Sequence, residues 1–480
     1  MAARIFETGP GVRIRLGVCA AAAALAGCSV GPDYLRPSAP VPVAYKELKG
    51  WKAATPRDDA LKGEWWRALG DPTLDRLASQ VSVSNQTLKA DAANYRQALA
   101  LIAEARAALF PTVTGDASAT RSEPGVNTTT AELNGSWTLD FFGKAARGLE
   151  QEGAAAEASQ ATLANATLAE QSALAIAYIQ LREADSARDL YDDTVKQYQR
   201  ALDITQNQYN QGTVAKSDVI TAQASLLTAQ ALEVQTEVSR QQSEHAIAVL
   251  ISKPPAELNV GRGKLAETVP GVPMRLPSSL LERRPDIAAA ERAMAEANAA
   301  IGVAIAGYYP DVTLSGLFGY SRESGFTFAS ASNPIWSFGA SLAQPIFNGG
   351  LTGAQVEAAR ASYDASVATY RQTVLTAFQQ VEDDLVAIRV YGDTIKIQAE
   401  AVKAAEQAVQ ISLNEYRAGT QNFTTVVTAE ATALSDEQSL LSSRAQRLTA
   451  TINLIVALGG GWSDAQLTKV DPLRVAVDPI

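Results

Sequence analysis

The sequence has one histidine, His245, in 480 residues, together with two cysteines and three methionines. One histidine leaves almost nothing from which to build a zinc site or a Ser-His-Asp triad. Met1, Met274 and Met294 are too few for a track that handles soft metals. Both cysteines, Cys19 and Cys28, sit near the N-terminus, so no disulfide framework can be drawn. Aromatic residues make up 6% of the chain. The apolar content leans on alanine and valine, which suits helices that pack closely more than one thick core. Proline is absent from 125–253 and again from 346–471, stretches of 129 and 126 residues. Nothing in either stretch forbids a very long helix.

The N-terminus reads as a targeting segment. Arg4, Arg13 and Arg15 are a basic start, and "LGVCAAAAALAG" from Leu16 to Gly27 is an apolar run too short to span a membrane. It ends in "LAGC", the order of residues in a bacterial lipobox. Cleavage before Cys28 would free a cysteine to carry diacylglycerol and an N-acyl chain. Ser29 follows, not an acidic residue, which points to the outer membrane. Losing Arg4, Arg13, Arg15 and Glu7 takes the formal net charge from −10 to −12. An acidic chain of this kind argues against a nucleic-acid partner.

The two proline-free stretches are rich in Ala, Leu, Gln and Glu, all good helix formers. Val195, Tyr198, Leu202, Thr205 and Tyr209 step by 3 and 4, as do Val367, Tyr370, Val374, Ala377, Val381, Leu385 and Ile388 apart from one slip. Such seams predict coiled-coil contacts. Residues 144–211 would form a rod of roughly 100 Å at about 1.5 Å per residue, which must pack on other rods. Separate bundles joined by unseen turns are the alternative.

Four short segments have a different texture. Residues 112–122, 131–142, 311–322 and 335–347 alternate, with Leu133, Trp137, Phe318, Trp336 and Phe338 on one face and small polar residues on the other. Their length and period suit transmembrane β-strands, and equally a soluble pair of hairpins. The targeting segment favours the first reading. Four strands cannot close a membrane barrel, which needs about eight, so several copies would have to share one.

The chain is also duplicated. "YNQGTVAKSDVITAQ" from Tyr209 returns as "YRAGTQNFTTVVTAE" from Tyr416, and "LFPTV" ending at Val113 returns as "YYPDV" ending at Val312. Each half reads helix, two strands, long helix, Gly-Thr turn, helix. Gly212 and Gly419 suit the turns between helices.

The strings "LAGCSVGPDYLRP", "WWRALGDPTLDRL", "LDFFGK", "LLERRPDIAAAERAMAEANAAIGVAIAGYYPDVTLSG", "QPIFNGG" and "VALGGGW" carry a resemblance over nearly the whole chain. Together they resemble the outer-membrane factor (TolC-like) family, and within it the NodT-type efflux lipoproteins. The resemblance implies a mainly α fold with a small transmembrane β part. Three chains, four strands each, would close a 12-stranded barrel that continues into a long periplasmic helical barrel. It divides the chain into a signal peptide (1–27), a lipidated extension (28–60), a first repeat (61–253), an equatorial linker (254–283), a second repeat (284–459) and a C-terminal equatorial segment (460–480). It further implies a homotrimeric exit duct for small toxic molecules, bound to outer-membrane lipid, with a periplasmic adaptor and an inner-membrane RND-type transporter as partners. No cofactor is expected beyond the lipid on Cys28. The adaptor would dock at the hairpin tips, Gly212, Thr213, Val214, Gly419, Thr420 and Gln421. Relatives carry a lumenal aspartate just past the second tip. The aligned positions here are Thr424 and Thr428, with Glu415 and Arg417 nearby, so the expected gate closes by packing and hydrogen bonds. Glu430 and Asp436, a turn or more further on, are the alternative positions.

Other signals are weak. "GRGK" at 261–264 is too short for a phosphate loop. His245, near the end of an Ala-rich helix, reads as a helix-cap or packing residue rather than a ligand, and no grouping of nucleophile, base and oxyanion donors suggests an enzyme. A duct for protein secretion or metal export, or a periplasmic lipoprotein with no pore, remain the competing readings.

Overall fold

The computed structural model describes residues 29–47, 64–123, 126–271, 282–323 and 334–475. Cys28 and the signal segment lie outside the described residues, as do 48–63 and 476–480. The described elements run in order as a short 3-10 turn (Trp65–Leu69), α1 (Pro72–Ser84), α2 (Gln86–Ala107), β1 (Thr112–Ser122), β2 (Val126–Leu139), α3 (Lys144–Asn210) and α4 (Lys216–Leu250). The second half follows as α5 (Pro285–Ala306), β3 (Asp311–Glu323), β4 (Pro334–Ala343), α6 (Leu351–Arg417) and α7 (Phe423–Ala457).

The two long rods are equal. α3 and α6 each have 67 residues and no proline, and each spans about 100 Å at the usual rise. Both begin at a glycine in the left-handed region, Gly143 (φ +78°) and Gly350 (φ +87°). There the chain turns from the strand region into a helix. At Gly143 a side chain is excluded twice over, because a Cβ would stand 2.8 Å from the Cα of Ser29.

The strands form a meander in the order β1-β2-β3-β4, every neighbour antiparallel. β2 starts at Val126 and ends at Leu139, not 131–142 as the alternation suggested. Thr128, Thr129 and Thr130 hide its start, since β-branched threonines extend readily but carry no apolar alternation. β4 ends at Ala343, short of 347, where Pro345 can donate no ladder hydrogen bond.

Helices pack as two hairpins, α3 with α4 and α6 with α7, and α3 also lies against α7. Nearer the strands the neighbours are α2, α3, α5 and α6 in that order. The seam of Tyr370, Val374, Ala377, Val381, Leu385 and Ile388 is buried, as the spacing predicts. It joins Trp65, Trp66, Leu74, Val81, Leu174, Tyr178, Leu181, Leu448 and Ile452 in the main core, at mid-height on the rods. Tyr209, by contrast, leaves its seam and faces solvent.

The linker between the halves is clamped to this level. Asp185, buried on α3, accepts from Arg182 (3.0 Å), Arg240 of α4 (2.9 Å) and the Gly263 amide (3.1 Å). Glu244 accepts from the Val260 amide at 2.5 Å, while Arg182 and Arg240 donate to the carbonyls of Gly261 and Val260. The C-terminal segment does not stay at this height. It climbs along α3 until Pro472 reaches Gly153 and the Leu473 carbonyl accepts from Arg106 of α2 (3.0 Å).

Candidate functional site

The strand register divides the sheet into two chemistries. On one face Leu133, Phe318 and Trp336 lie level across β2, β3 and β4, with Val113, Trp137, Leu314, Tyr320, Phe338 and Leu342 above and below. Trp336, Phe338 and Leu342 are each at least two-thirds exposed. A band of exposed aromatic and aliphatic side chains is what a lipid-facing surface requires. Below it Phe142 stacks on Tyr309, ring centroids 4.6 Å apart, where the strands meet the helices. The opposite face is polar. Asp116 and Glu132 sit directly across from each other, and Asn134 donates to both carboxylates (3.0 and 3.1 Å).

Both edges of this sheet are unpaired, β1 on one side and β4 on the other. The helices end in the same way. α4 closes one side of the helical layer and α6 the other. Each edge helix carries a second apolar stripe beside its buried seam. On α4 this is Ile220, Ala224, Leu227, Ala231, Val234 and Val238, stepping by 4 and 3, all exposed. On α6 it is Val390, Ile397, Ala404 and Ile411, a strict seven-residue repeat, also exposed. The two stripes match in height. Ile220, Leu227 and Val234 lie 8, 15 and 22 residues after Gly212, while Ile411, Ala404 and Ile397 lie 8, 15 and 22 residues before Gly419. Nearer the strands the α6 stripe narrows to alanine at 354, 358, 361, 365 and 368, all exposed.

The two hairpin tips share one backbone geometry. Gly212 (φ +74°) and Gly419 (φ +75°) take the left-handed turn, which glycine adopts without steric cost. The Gly212 and Thr213 amides donate to the carbonyls of Tyr209 and Gln208, and the Gly419 and Thr420 amides donate to those of Tyr416 and Glu415, all within 2.9–3.0 Å. Both threonine hydroxyls back up the same carbonyls. Gly212, Thr213, Gly419, Thr420 and Gln421 are exposed, and Val214 is half-buried.

The side chains behind the tips differ. Tyr416 is buried on Phe423 (5.1 Å between rings), with Val426 and with Ala201 and Ala222 of the first hairpin. Its counterpart Tyr209 is exposed, because the position matching Phe423 is Lys216. Asn422 caps α7 by accepting from the Thr425 amide (3.1 Å), whereas α4 has no side-chain cap. Burial raises the Tyr416 phenol, the neighbouring Thr205 hydroxyl of α3 opposes this, and the charge of Asp218, on the first hairpin, adds to it.

Thr424 and Thr428 share one exposed face of α7, the Thr428 hydroxyl donating to the Thr424 carbonyl at 2.9 Å. Glu415 and Arg417 are exposed on the last turn of α6, two residues apart, so they do not face each other. Asp436 is half-buried. Glu430 is buried, at 6% exposure, and among the described residues no cation pairs with it. Buried carboxylates without a base are not visible in sequence. The only sign of this one is its position on the apolar stripe Phe423, Val426, Glu430, Ala433.

Residues 29–47 run as a strap over both halves. The Val30 amide donates to the Phe142 carbonyl (3.1 Å) and Arg147 of α3 pairs with Asp33 (2.8 Å). Asn298 of α5 donates to the Pro32 carbonyl and Tyr34 to Glu291 (2.6 Å). Arg36 donates to the Tyr370 hydroxyl, and Glu382 of α6 accepts from the amides of Lys46 and Glu47. Among the described residues no group of His, Cys, Asp and Glu is arranged to hold a metal ion, and no helix is long and apolar enough to cross a membrane.

Comparison with known proteins agrees with this architecture. The family model described as outer membrane efflux protein matches residues 77–252 and 276–460. The toluene efflux pump outer membrane protein TtgC of Pseudomonas putida is 30% identical over 462 residues, covering 93% of this chain and 95% of that protein. Nodulation protein T of Rhizobium leguminosarum bv. trifolii is 29% identical, covering 92% and 96%. Among solved structures the outer-membrane channel OprN superposes with a TM-score of 0.85 at 30% identity, over 91% of this chain and all of that one. The Campylobacter jejuni CmeC outer membrane channel gives the same TM-score at 20% identity, over 92% and 96%, and so speaks for the fold alone. The chain therefore belongs to the outer membrane efflux protein family.

Proposed function

We propose that three copies of this chain close edge to edge into one duct through the outer membrane and the periplasm, the passive exit of a tripartite efflux system. The observation that carries this is the pair of matched edges. Each copy presents an unpaired β1 and an unpaired β4, which would meet antiparallel, and two exposed apolar stripes at equal heights above the tips. A stripe that fits a different stripe on the next copy makes a head-to-tail contact, which closes into a ring when the rotation from copy to copy divides the circle evenly. Three copies supply 12 strands, enough for a membrane barrel with no open edge.

An inner-membrane RND-type transporter supplies the energy, and a periplasmic adaptor docks at the six tips, around Gly212, Thr213, Val214, Gly419, Thr420 and Gln421. The cargo is small toxic molecules, in line with relatives named for toluene, solvent and antibiotic efflux. Cys28 carries the lipid. Ser29, the next residue, touches Gly143 beside the Phe142–Tyr309 stack, a height suited to a headgroup. The second tip is the gate and has no carboxylate at Thr424 or Thr428, so it closes by the Tyr416–Phe423 packing and by hydrogen bonds, with Glu415 and Arg417 assisting.

In planar lipid bilayers the purified protein should open discrete conductance steps, and cells lacking it should become sensitive to solvents and antibiotics. Unchanged sensitivity in cells that normally express it would count against the efflux role. For the gate, Thr428→Asp should introduce block by divalent cations that the wild type lacks. A wild type already blocked strongly would contradict a gate without charge.

A further inference from the structure

The second hairpin holds a carboxyl group where a coiled coil wants a hydrocarbon. Phe423, Val426, Glu430, Ala433 and Glu437 step by 3, 4, 3 and 4 along α7, on the side turned toward α6 and α3. Glu430 fills a core position of this stripe, between Val426 and Ala433, with Ala405 and Val409 of α6 close by. Across from it stands Tyr198 of α3, also buried. One heptad further on, Glu437 faces Asp193 of α3 and Glu406 of α6. Next to it Gln438 donates to the Tyr191 hydroxyl of α3 at 2.8 Å, and higher still Glu183 of α3 is held by Ser442 of α7.

The titratable groups that meet here are therefore Glu183, Tyr191, Asp193 and Tyr198 from α3, Glu406 from α6, and Glu430 and Glu437 from α7. α4 approaches α7 near the tip, through Ala222, with Asp218 beside Tyr416. None of these is cationic. Among the described residues no ion pair reaches Glu430 or Glu437 themselves, although Lys196 pairs with Asp193 of this group. Lys196 is taken by Asp192 and Asp193, Arg188 by Glu233 and Glu237, Lys403 by Glu400, and Arg200 faces solvent.

We propose that Glu430, assisted by Glu437, is a proton-operated latch between the two hairpins: neutral, it lets α7 lie against α3, and ionised, it drives the second hairpin away from the first. An ionised carboxylate on this stripe must be dehydrated without a partner, which is costly in a packed interface. The neutral acid can stay. Burial alone pushes the Glu430 carboxyl up to about 7. Burial raises Glu437 as well, with Glu406 and then Asp193 adding to it.

The direction follows from linkage. A carboxyl raised in the packed state favours packing most strongly below the ordinary value of about 4.3, and this advantage is lost as pH rises through about 7. Between pH 5 and pH 8 the packing equilibrium of one chain should fall on the order of 50-fold through Glu430 alone. The latch sits about two turns above the second tip, so it acts on the mouth of the duct and responds to the acidity of the periplasm.

The test is a distance between tips in the intact assembled protein, with nitroxide labels at Thr213→Cys and Thr420→Cys and pulsed electron resonance from pH 5 to pH 8.5. The nearest tip-to-tip distance should be short and narrow at pH 5, should lengthen and broaden as pH rises, and should change little further above about pH 8. Glu430→Gln, which keeps shape and removes the charge, should stay short and narrow throughout. Glu437→Gln should move the midpoint without abolishing the change. A wild type with no change across this range overturns the proposal. So does a Glu430→Gln protein that opens with the wild-type midpoint. Loss of helical circular dichroism in Glu430→Gln would show that the carboxyl is needed for folding at every pH, which also contradicts a latch. None of these readouts depends on transport.

Discussion

Replacing Leu227 by aspartate should dissolve the assembly while leaving each chain folded. Leu227 lies on the outer stripe of α4 and is 56% exposed in the single chain. Burying a whole leucine is worth about 1.5–3 kcal/mol, so covering its remaining surface in the assembly contributes about 1 kcal/mol. An aspartate there loses that term. It must also be dehydrated, or kept wet by parting the helices, at a further cost of roughly 2 kcal/mol or more. Each contact then weakens by about 3 kcal/mol, over 100-fold in its equilibrium constant, and a ring of three contacts by about three times as much. Sedimentation in detergent should show Leu227→Asp as single chains at concentrations where the wild type is fully assembled. Far-ultraviolet circular dichroism should stay near wild type, because the buried seam of α4 (Val219, Ala222, Leu226, Ala229) is untouched. Thr221→Asp, exposed on the same helix but off the stripe, should assemble normally. If Leu227→Asp assembles as the wild type does, the stripe is not an interface and the reasoning fails.

Asp185→Ala should strip two buried guanidinium groups of their shared partner and destabilise the clamped linker by about 3–5 kcal/mol. Trypsin should then cut after Arg262 or Lys264 at least 100-fold faster, and unchanged cleavage there would refute the clamp. Asp384, half-buried beside Asp383 on α6, has its carboxyl pushed up to about 7, first by burial and then by that neighbour. Its stabilising contribution is present in acid and lost as pH rises through about 7. Asp384→Asn should accordingly raise the unfolding temperature at pH 8 and have little effect at pH 5. Asp116→Asn with Glu132→Gln removes the facing carboxylates on the polar side of the sheet, and should shift the reversal potential in a salt gradient toward zero. No shift would mean that these side chains do not line the path of the ions.

Much of this fold can be read in the sequence because its signals are local. Absence of proline over 125–253 and 346–471 announces the rods, and the repeated Gly-Thr turns announce their ends. Period-two alternation at Leu133, Gly135 and Trp137 announces a strand with one greasy face. What could not be read depends on long-range partners. The edge stripes of α4 and α6 are hidden because each helix carries two apolar stripes, and overlapping stripes blur the period of either. Tyr209 and Tyr416 look equivalent in the repeat, yet one is exposed and one buried, a difference decided by Lys216 against Phe423 after the turn. The clamp on the linker joins Asp185 to Arg240 and Gly263, whose separations of 55 and 78 residues carry no pattern. Glu430 resembles any surface glutamate until α3 and α6 close over it.

The shared duct can be tested most directly by native mass spectrometry of the detergent-extracted protein. Three chains per particle, with no monomer at working concentration, is the predicted result. A stable single chain that keeps its strand content, or a particle of two or four chains, would contradict the account.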